Sequence, residues 1–461
     1  MKNQLLKSVL MLSAFMVTMS VSAQRPIIQT KFTADPAPMV HNDTVFLYTT
    51  HDEDYAPEGY AGFRMKEWLL YTSTDMVNWT DHGKVANLHN FTWAAKEISG
   101  WGGFDNGAWA PQCIERNGKF YLYCPLQGRG IGVLVGDSPY GPFKDPIGKP
   151  LISGKYDSID PTVFIDDDGQ AYLYWGNPNM WYAKLNEDMI SLKGEITKDT
   201  NLTKENRGNV HFQEGPWIYK RGKQYYMAYA STCCPEGIGY AMGDTPTGPW
   251  VFKGYLMKPD GRSSGNHPGI IDYHGKTYLF GFNYQLNYAI TNKHHERRSV
   301  CVAEIAFNAD GTINEEPWWM ENQNPSPIRT FNPLRRVEAE TIAWSEGIKT
   351  CSHDNGISIV ATKNGAFIQV ANVNFGSKGA SAFRALVGGE KSKNISLEIR
   401  LDDLNGKLVR KIQIPQKTKS GKYRTIKVNI PRVTGVHDLY FVFNNIKGED
   451  NYAYIDYWEF K

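Results

Sequence analysis

Asp35 in Ala34-Asp35-Pro36, Asp160 in Asp160-Pro161 and Glu214 in Glu214-Gly215-Pro216 are acids set just ahead of a proline, at the start of an apolar, aromatic run. Trp109 in Trp109-Ala110-Pro111 and His267 in His267-Pro268 occupy the same setting. Each motif alone is ordinary, because Asp and Pro are common at turns and strand entries. Their recurrence in one setting is not. Three carboxylates gathered in one place repel one another and, once buried, keep protons that isolated acids lose at neutral pH. An acid facing a carboxylate is the equipment that cleaves glycosidic bonds: one protonates the leaving oxygen, the other activates water or attacks the sugar. Metal binding is the competing use of such a trio. The chain lacks the multi-histidine set of a zinc site, and Asp166-Asp167-Asp168-Gly169 has the wrong spacing for an EF-hand loop and reads as a hairpin turn.

What places these residues together is an internal repeat. Each motif leads to a tight turn (Asn42-Asp43, Asn117-Gly118, Asp168-Gly169, Arg221-Gly222, His274-Gly275) and then to a second aromatic strand. Those strands are Val45–Tyr48, Phe120–Tyr123, Ala171–Tyr174, Tyr225–Ala228 and Thr277–Phe280. Strand, hairpin and aromatic strand make an antiparallel meander, and a period of roughly 50 residues is that of a four-stranded propeller blade. Turn signals at Asp137–Pro142 and Asp244–Pro249 close two of the copies. Five copies predict a five-bladed β-propeller over residues 24–327, with the first strand of each blade lining one axial pocket. The longer first interval predicts an insertion between about Tyr55 and Asp105 that shapes the rim.

After Pro325-Ser326-Pro327 the pattern changes. A linker over 328–335 leads to alternating runs such as Phe367–Val370, Ile395–Ile399 and Leu439–Phe443, which predict a β-sandwich over 336–461. The fold class is thus all-β, with a propeller followed by a sandwich of jelly-roll type.

Bulk properties narrow the partner. A net charge of +2 offers no field for nucleic acid and no polybasic patch for a membrane. Aromatics form 13% of the chain, with 13 Trp and 26 Tyr, which suits the apolar faces of sugar rings. The expected partner is a polysaccharide or oligosaccharide, bound by a monomer. Lys2 and Lys7, the apolar run Val9–Val21 and Val21-Ser22-Ala23 read as a signal peptide over 1–23, so a secreted or periplasmic location is expected, with no membrane span after cleavage.

Six cysteines match no zinc spacing, and buried thiols and bridges are both compatible with them. Cys233 and Cys234 are neighbours, a bridge between neighbours needs a strained peptide, and no chemistry is assigned to them; Ser231–Cys234 reads as a blade turn. Gly128–Gly132 is glycine-rich, but a strand-like run rather than a helix follows it, against a phosphate loop.

Asp35 in Ala-Asp-Pro, Asp160 in Ser158–Phe164 and Glu214 in Glu214–Lys220 resemble the three signature acids of glycoside hydrolase family 43. Trp109–Gln112 and Tyr172–Gly176 are similar to the same family. The resemblance implies that Asp35 is the general base, Glu214 the general acid and Asp160 the residue that orients Glu214 and raises its pKa, with inversion at the anomeric carbon. It also implies substrate-binding roles for Trp109, Asn177, His267 and Arg298, His267 being similar to a histidine that lies under the active site near calcium or ordered water. Within the family an exo-acting α-L-arabinofuranosidase on arabinoxylan or arabinan is favoured. β-Xylosidase, endo-arabinanase and exo-galactosidase activities share the acids, and a non-catalytic glycan binder is the alternative of another class. The tail resembles carbohydrate-binding module family 6 at Val337–Glu340 and Ile455–Trp458, which implies Glu338, Glu340 and Asp456 as ligands of a structural Ca2+. Tyr454 stands where that family commonly places an Asn, so weak sugar binding by the tail is expected.

Overall fold

The computed structural model describes residues 25–54, 62–95, 106–291, 293–353, 356–390, 394–417, 423–447 and 451–461. The expected signal peptide lies outside them. The first blade holds β1 (Phe32–His41), β2 (Thr44–Asp52), β3 (Glu67–Ser73) and β4 (Trp79–Asn87). The second holds β5 (Gln112–Arg116), β6 (Lys119–Leu126), β7 (Gly130–Gly136) and β8 (Ile152–Ser153). The third is β9 (Thr162–Ile165), β10 (Ala171–Trp175), β11 (Trp181–Leu185) and β12 (Leu192–Lys198). The fourth is β13 (Phe212–Arg221), β14 (Gln224–Ser231), β15 (Gly237–Gly243) and β16 (Val251–Met257). The fifth has three strands, β17 (Gly269–Tyr273), β18 (Lys276–Asn283) and β19 (Ser299–Ile305). Each blade is an antiparallel meander, and β1, β5, β9, β13 and β17 touch in turn and close the ring. The start of β1 and the segment before it help to seal the ring, since the Thr33 and Ile27 N–H groups donate to the Arg298 and Val300 carbonyls at 2.9 Å each.

Aromatic second strands weld each blade to the next. The buried hydroxyls of Tyr48, Tyr123 and Tyr174, equivalent in three repeats, donate to the carbonyls of Pro139, Met189 and Pro246 at 2.6, 2.6 and 2.5 Å. In the fourth blade Tyr226, on the same strand face two residues earlier than the equivalent position, reaches the Gly311 carbonyl at 2.7 Å. Two of these acceptors lie in the proline turns that punctuate the sequence. A buried hydroxyl pairs in this way because an unpaired one costs about 1–3 kcal/mol.

The expected rim insertion is corrected in one respect. Of the stretch between Tyr55 and Asp105, residues 67–87 form β3 and β4, the outer half of the first blade.

The C-terminal unit contains β20 (Val337–Glu338), β21 (Thr341–Ile342), β22 (Trp344–Glu346), β23 (Ile348–His353), β24 (Gly356–Ala361), β25 (Phe367–Gly389), β26 (Ser396–Leu401), β27 (Lys407–Gln413), β28 (Arg424–Asn444) and β29 (Ala453–Phe460). The long β25 and β28 shift register repeatedly between Val370 and Ala382, and bulges of this kind let a strand turn the corner from one layer of a sandwich to the other. Trp458, Phe383, Phe441 and Phe460 fill the space between the layers. β29 lies between β24 and β25. β21 leaves the sandwich and pairs with β4, so the first blade has a fifth strand. The buried Asn78 side chain both donates to the Ala371 carbonyl and accepts from its N–H, at 3.0 and 2.8 Å. The 328–335 stretch, expected as a linker, is laid down on both units: Ile328 N–H donates to Asp75, and Phe331 N–H to Asn372.

Candidate active site

The inner strands bring the acids to one end of the channel by a local distortion. Asp35 and Asp160 have φ of 50° and 54°, in the left-handed region that non-glycine residues rarely occupy, and Gly215 beside Glu214 has φ of 60°. Register shifts flank Asp35 in β1 and Glu214 in β13, and such bulges re-aim a side chain away from the pleat. Gly215 is also required by space, because a Cβ there would sit 2.9 Å from His267 Nδ1.

These residues surround a cavity of about 540 Å³. Asp35, Asp160, Glu214, Trp109, Asn177 and Arg298 all line it. His267 does not. It is buried behind the acids, with Nδ1 3.8 Å from Asp35 Oδ1 and 3.9 Å from Asp160 Oδ2, and burial lowers its pKa to about 4, so the ring is neutral at physiological pH.

Asp35 is held from two sides. Arg298 Nη1 donates to its Oδ1 at 2.8 Å and Thr50 Oγ1 to its Oδ2 at 3.0 Å. The other guanidinium nitrogens of Arg298 donate to Asp52 at 2.9 Å each, so this arginine is committed to carboxylates and acts on the base rather than offering a free fork to the sugar. Glu214 is different. Burial and the nearby Asp35 charge raise its pKa to about 7, while the Asn177 amide, donating to Oε2 at 2.5 Å, pulls it back. Asp160 is pushed well above the carboxylate range by burial and by Glu214 and Asp35; its Oδ2 accepts the Gly215 N–H at 3.0 Å and so braces the backbone that carries Glu214. The arrangement thus pairs a carboxyl that keeps its proton near neutrality with one whose charge is met by a guanidinium. Proton donation from one and proton abstraction by the other are the chemistry it can perform.

Sequence reasoning missed several lining groups. Glu236 is buried, raised well above the usual range by burial and by Glu214, and accepts the Asn266 N–H at 3.1 Å. Phe63, Met65, Phe282, Tyr284 and Glu296 also face the cavity. Cys233 and Cys234, to which no chemistry was assigned, are bonded to each other and line it too, while Cys113, Cys124 and Cys301 are buried thiols.

The expected metal ligands lie in the C-terminal unit. Glu338 receives two hydrogen bonds from Arg336, and Asp456 stands 3.2 Å from His353 Nε2. Glu340 is buried with Oε2 unpartnered, and burial raises its carboxyl to about 9, with Glu338, Asp81 and Asp456 adding to the rise. No group of three or more His, Cys, Asp or Glu is arranged to hold a metal among the described residues. The orphaned Glu340 oxygen among like charges nonetheless fits a hard cation, which would supply the missing positive partner.

Glycosyl hydrolases family 43 matches residues 23–313, and the carbohydrate binding module of family 6 matches residues 338–461. The arabinoxylan arabinofuranohydrolase of Bacillus subtilis is 32% identical over 95% of this chain and 93% of its own. The enzyme of that name from Paenibacillus polymyxa is 31% identical over 94% of this chain and 74% of its own. A crystal structure of the Bacillus subtilis family 43 enzyme in complex with cellotetraose superposes with a TM-score of 0.78 at 29% identity, covering 96% and 98% of the two chains. With two catalytic-type carboxyls in one sugar-sized cavity and a match of this extent, the chain belongs to glycosyl hydrolases family 43 and is a glycosidase.

Proposed function

We propose that the protein releases α-L-arabinofuranosyl groups from arabinoxylan with inversion of configuration. Glu214 protonates the departing glycosidic oxygen, Asp35 takes a proton from the water that attacks the anomeric carbon, and Asp160 holds Glu214 in place through the Gly215 backbone. The observation that carries this reading is the contrast between Glu214, protonated up to about pH 7, and Asp35, whose carboxylate faces Arg298. The substrate is favoured by similarity over nearly the whole of this chain to two arabinoxylan arabinofuranohydrolases rather than over the propeller alone. Trp109, Phe282 and Tyr284 supply apolar faces for the sugars. A Ca2+ at Glu340 and Asp456 steadies the C-terminal unit, and a signal peptide directs the protein to the periplasm or beyond.

Proton NMR of the first products from wheat arabinoxylan tests both parts. Free arabinose appearing first as the inverted anomer is the expected result; xylose release, or retention, overturns the substrate or the mechanism respectively. Glu214→Gln and Asp35→Asn keep shape and remove proton transfer, so each is expected to lower kcat by about 10²–10⁴-fold with an unchanged melting temperature.

A further inference from the structure

We propose that the Cys233–Cys234 disulfide is a sugar-contacting wall of the active-site pocket, packing its sulfur face against the C–H face of the bound pentose and setting how tightly that sugar is held. The inference rests on the glycosidase reading of the cavity and deepens it.

Position is the first argument. Ser231 and Gly237 form the last pair of the β14–β15 hairpin, so residues 232–236 are its loop, and that loop stands at the pocket. Both cysteines are solvent-exposed and both line the cavity that holds Glu214, whereas three of the other four cysteines are buried thiols and Cys351 is half-buried in the C-terminal unit.

The second argument is what the fourth blade otherwise offers. The first, second and fifth blades bring Phe63, Trp109 and Phe282 to the cavity, but the fourth brings only Gln213, Glu214 and Glu236 besides the two cysteines. Beside the acid Glu214, the disulfide is therefore the apolar surface of this blade. Divalent sulfur is polarizable and a poor hydrogen-bond acceptor, which suits C–H groups better than hydroxyls.

The third argument is that the loop is anchored without the bond. Glu236 accepts the Asn266 N–H, which ties the loop to the segment before β17, and Gly237 is packed so closely that a Cβ would lie 2.7 Å from Pro259 Cδ. A bond that the anchoring does not need, facing the cavity, is accounted for by contact with the ligand.

The test uses the full chain and whichever glycoside the wild type hydrolyses, so that a wrong substrate assignment and a wrong role for the disulfide give different results. Dithiothreitol breaks the S–S bond by passing two electrons and two protons to it, leaving two thiols and cyclic oxidised dithiothreitol; no other disulfide exists among the described residues. Mass spectrometry of the alkylated and unalkylated peptide first establishes that the bond is present. In the reduced enzyme and in the Cys233→Ser/Cys234→Ser variant, KM is expected to rise about fivefold to tenfold, as for loss of a partial apolar contact, with kcat and melting temperature little changed. Reoxidation should restore KM in the wild type and not in the variant. An absent bond, a KM within twofold of wild type in either form, or a parallel fall in kcat and melting temperature that marks a scaffolding role overturns the proposal.

Discussion

Glu214 owes its raised pKa to influences acting in opposite senses, with the Arg298 charge on the lowering side. Burial and Asp35 disfavour its charged form, and the Asn177 N–H favours it. Because the general acid must be protonated, activity is expected to fall as pH rises through about 7, the Glu214 value. Asn177→Ala removes the group that favours the carboxylate, so the basic limb of kcat/KM should move up, by about half to one pH unit. His267 is neutral above about pH 4, and a limb near the ordinary histidine value is therefore not expected from it. The three acids were legible in the sequence because a repeat converts equal position in a blade into equal position in space. Glu236 and Glu296 were not: they lie in the β14–β15 and β18–β19 loops, whose counterparts in the other blades also reach the cavity but with residues as different as Phe63, Gln127 and Asn177, so nothing local marks the two acids as pocket residues. Arg298 was legible as a site residue, but its commitment to Asp35 and Asp52 joins the entry of β19 to the β1–β2 hairpin, 263 and 246 residues earlier in the chain.

Among the elements, the hairpins of each blade were readable from their turns and aromatic strands. β3 and β4 were not: glycine, tryptophan and charged residues around them imitate a loop insertion. β21 was beyond reach for another reason, since two residues carry no alternation to detect. Glu340 lies between β20 and β21, where the C-terminal unit meets the first blade. Its folded pKa of about 9 exceeds the ordinary value of 4.5, so its contribution to stability is complete below the unfolded pKa and is lost as pH rises toward 9. Glu340→Gln removes that loss. In chelator at pH 8 the variant is expected to melt above wild type, by about 1 °C for each kcal/mol recovered in a chain of this size. If Glu340 holds calcium, added calcium should then raise the melting temperature of wild type and not of the variant.

The whole molecule is less divisible than its two family matches suggest. Removing everything after Pro327 uncovers β4, frees Asp81 from Thr350 and leaves Asn78 without Ala371. The truncated propeller is expected to melt below the full chain, and Asn78→Ala in the full chain to cost about 1–3 kcal/mol by denaturant titration, the range for unpairing buried polar groups. The expectation of weak sugar binding by the tail also has a physical counterpart, because Lys417 Nζ lies 3.5 Å from the Tyr454 ring centroid and covers a face on which a sugar could stack. Calorimetry of the full-length Glu214→Gln variant with its Tyr454→Asn derivative should show xylan oligosaccharide affinity at the tail rising in the latter. β29 sits in the middle of its sheet rather than at an edge, between β24 and β25, both of which precede it in the chain. Paired on both sides, β29 holds the two halves of the sheet together, so a change that unseats it would open a gap at the centre, whereas loss of β23 or β27 would only narrow the sheet from its edge.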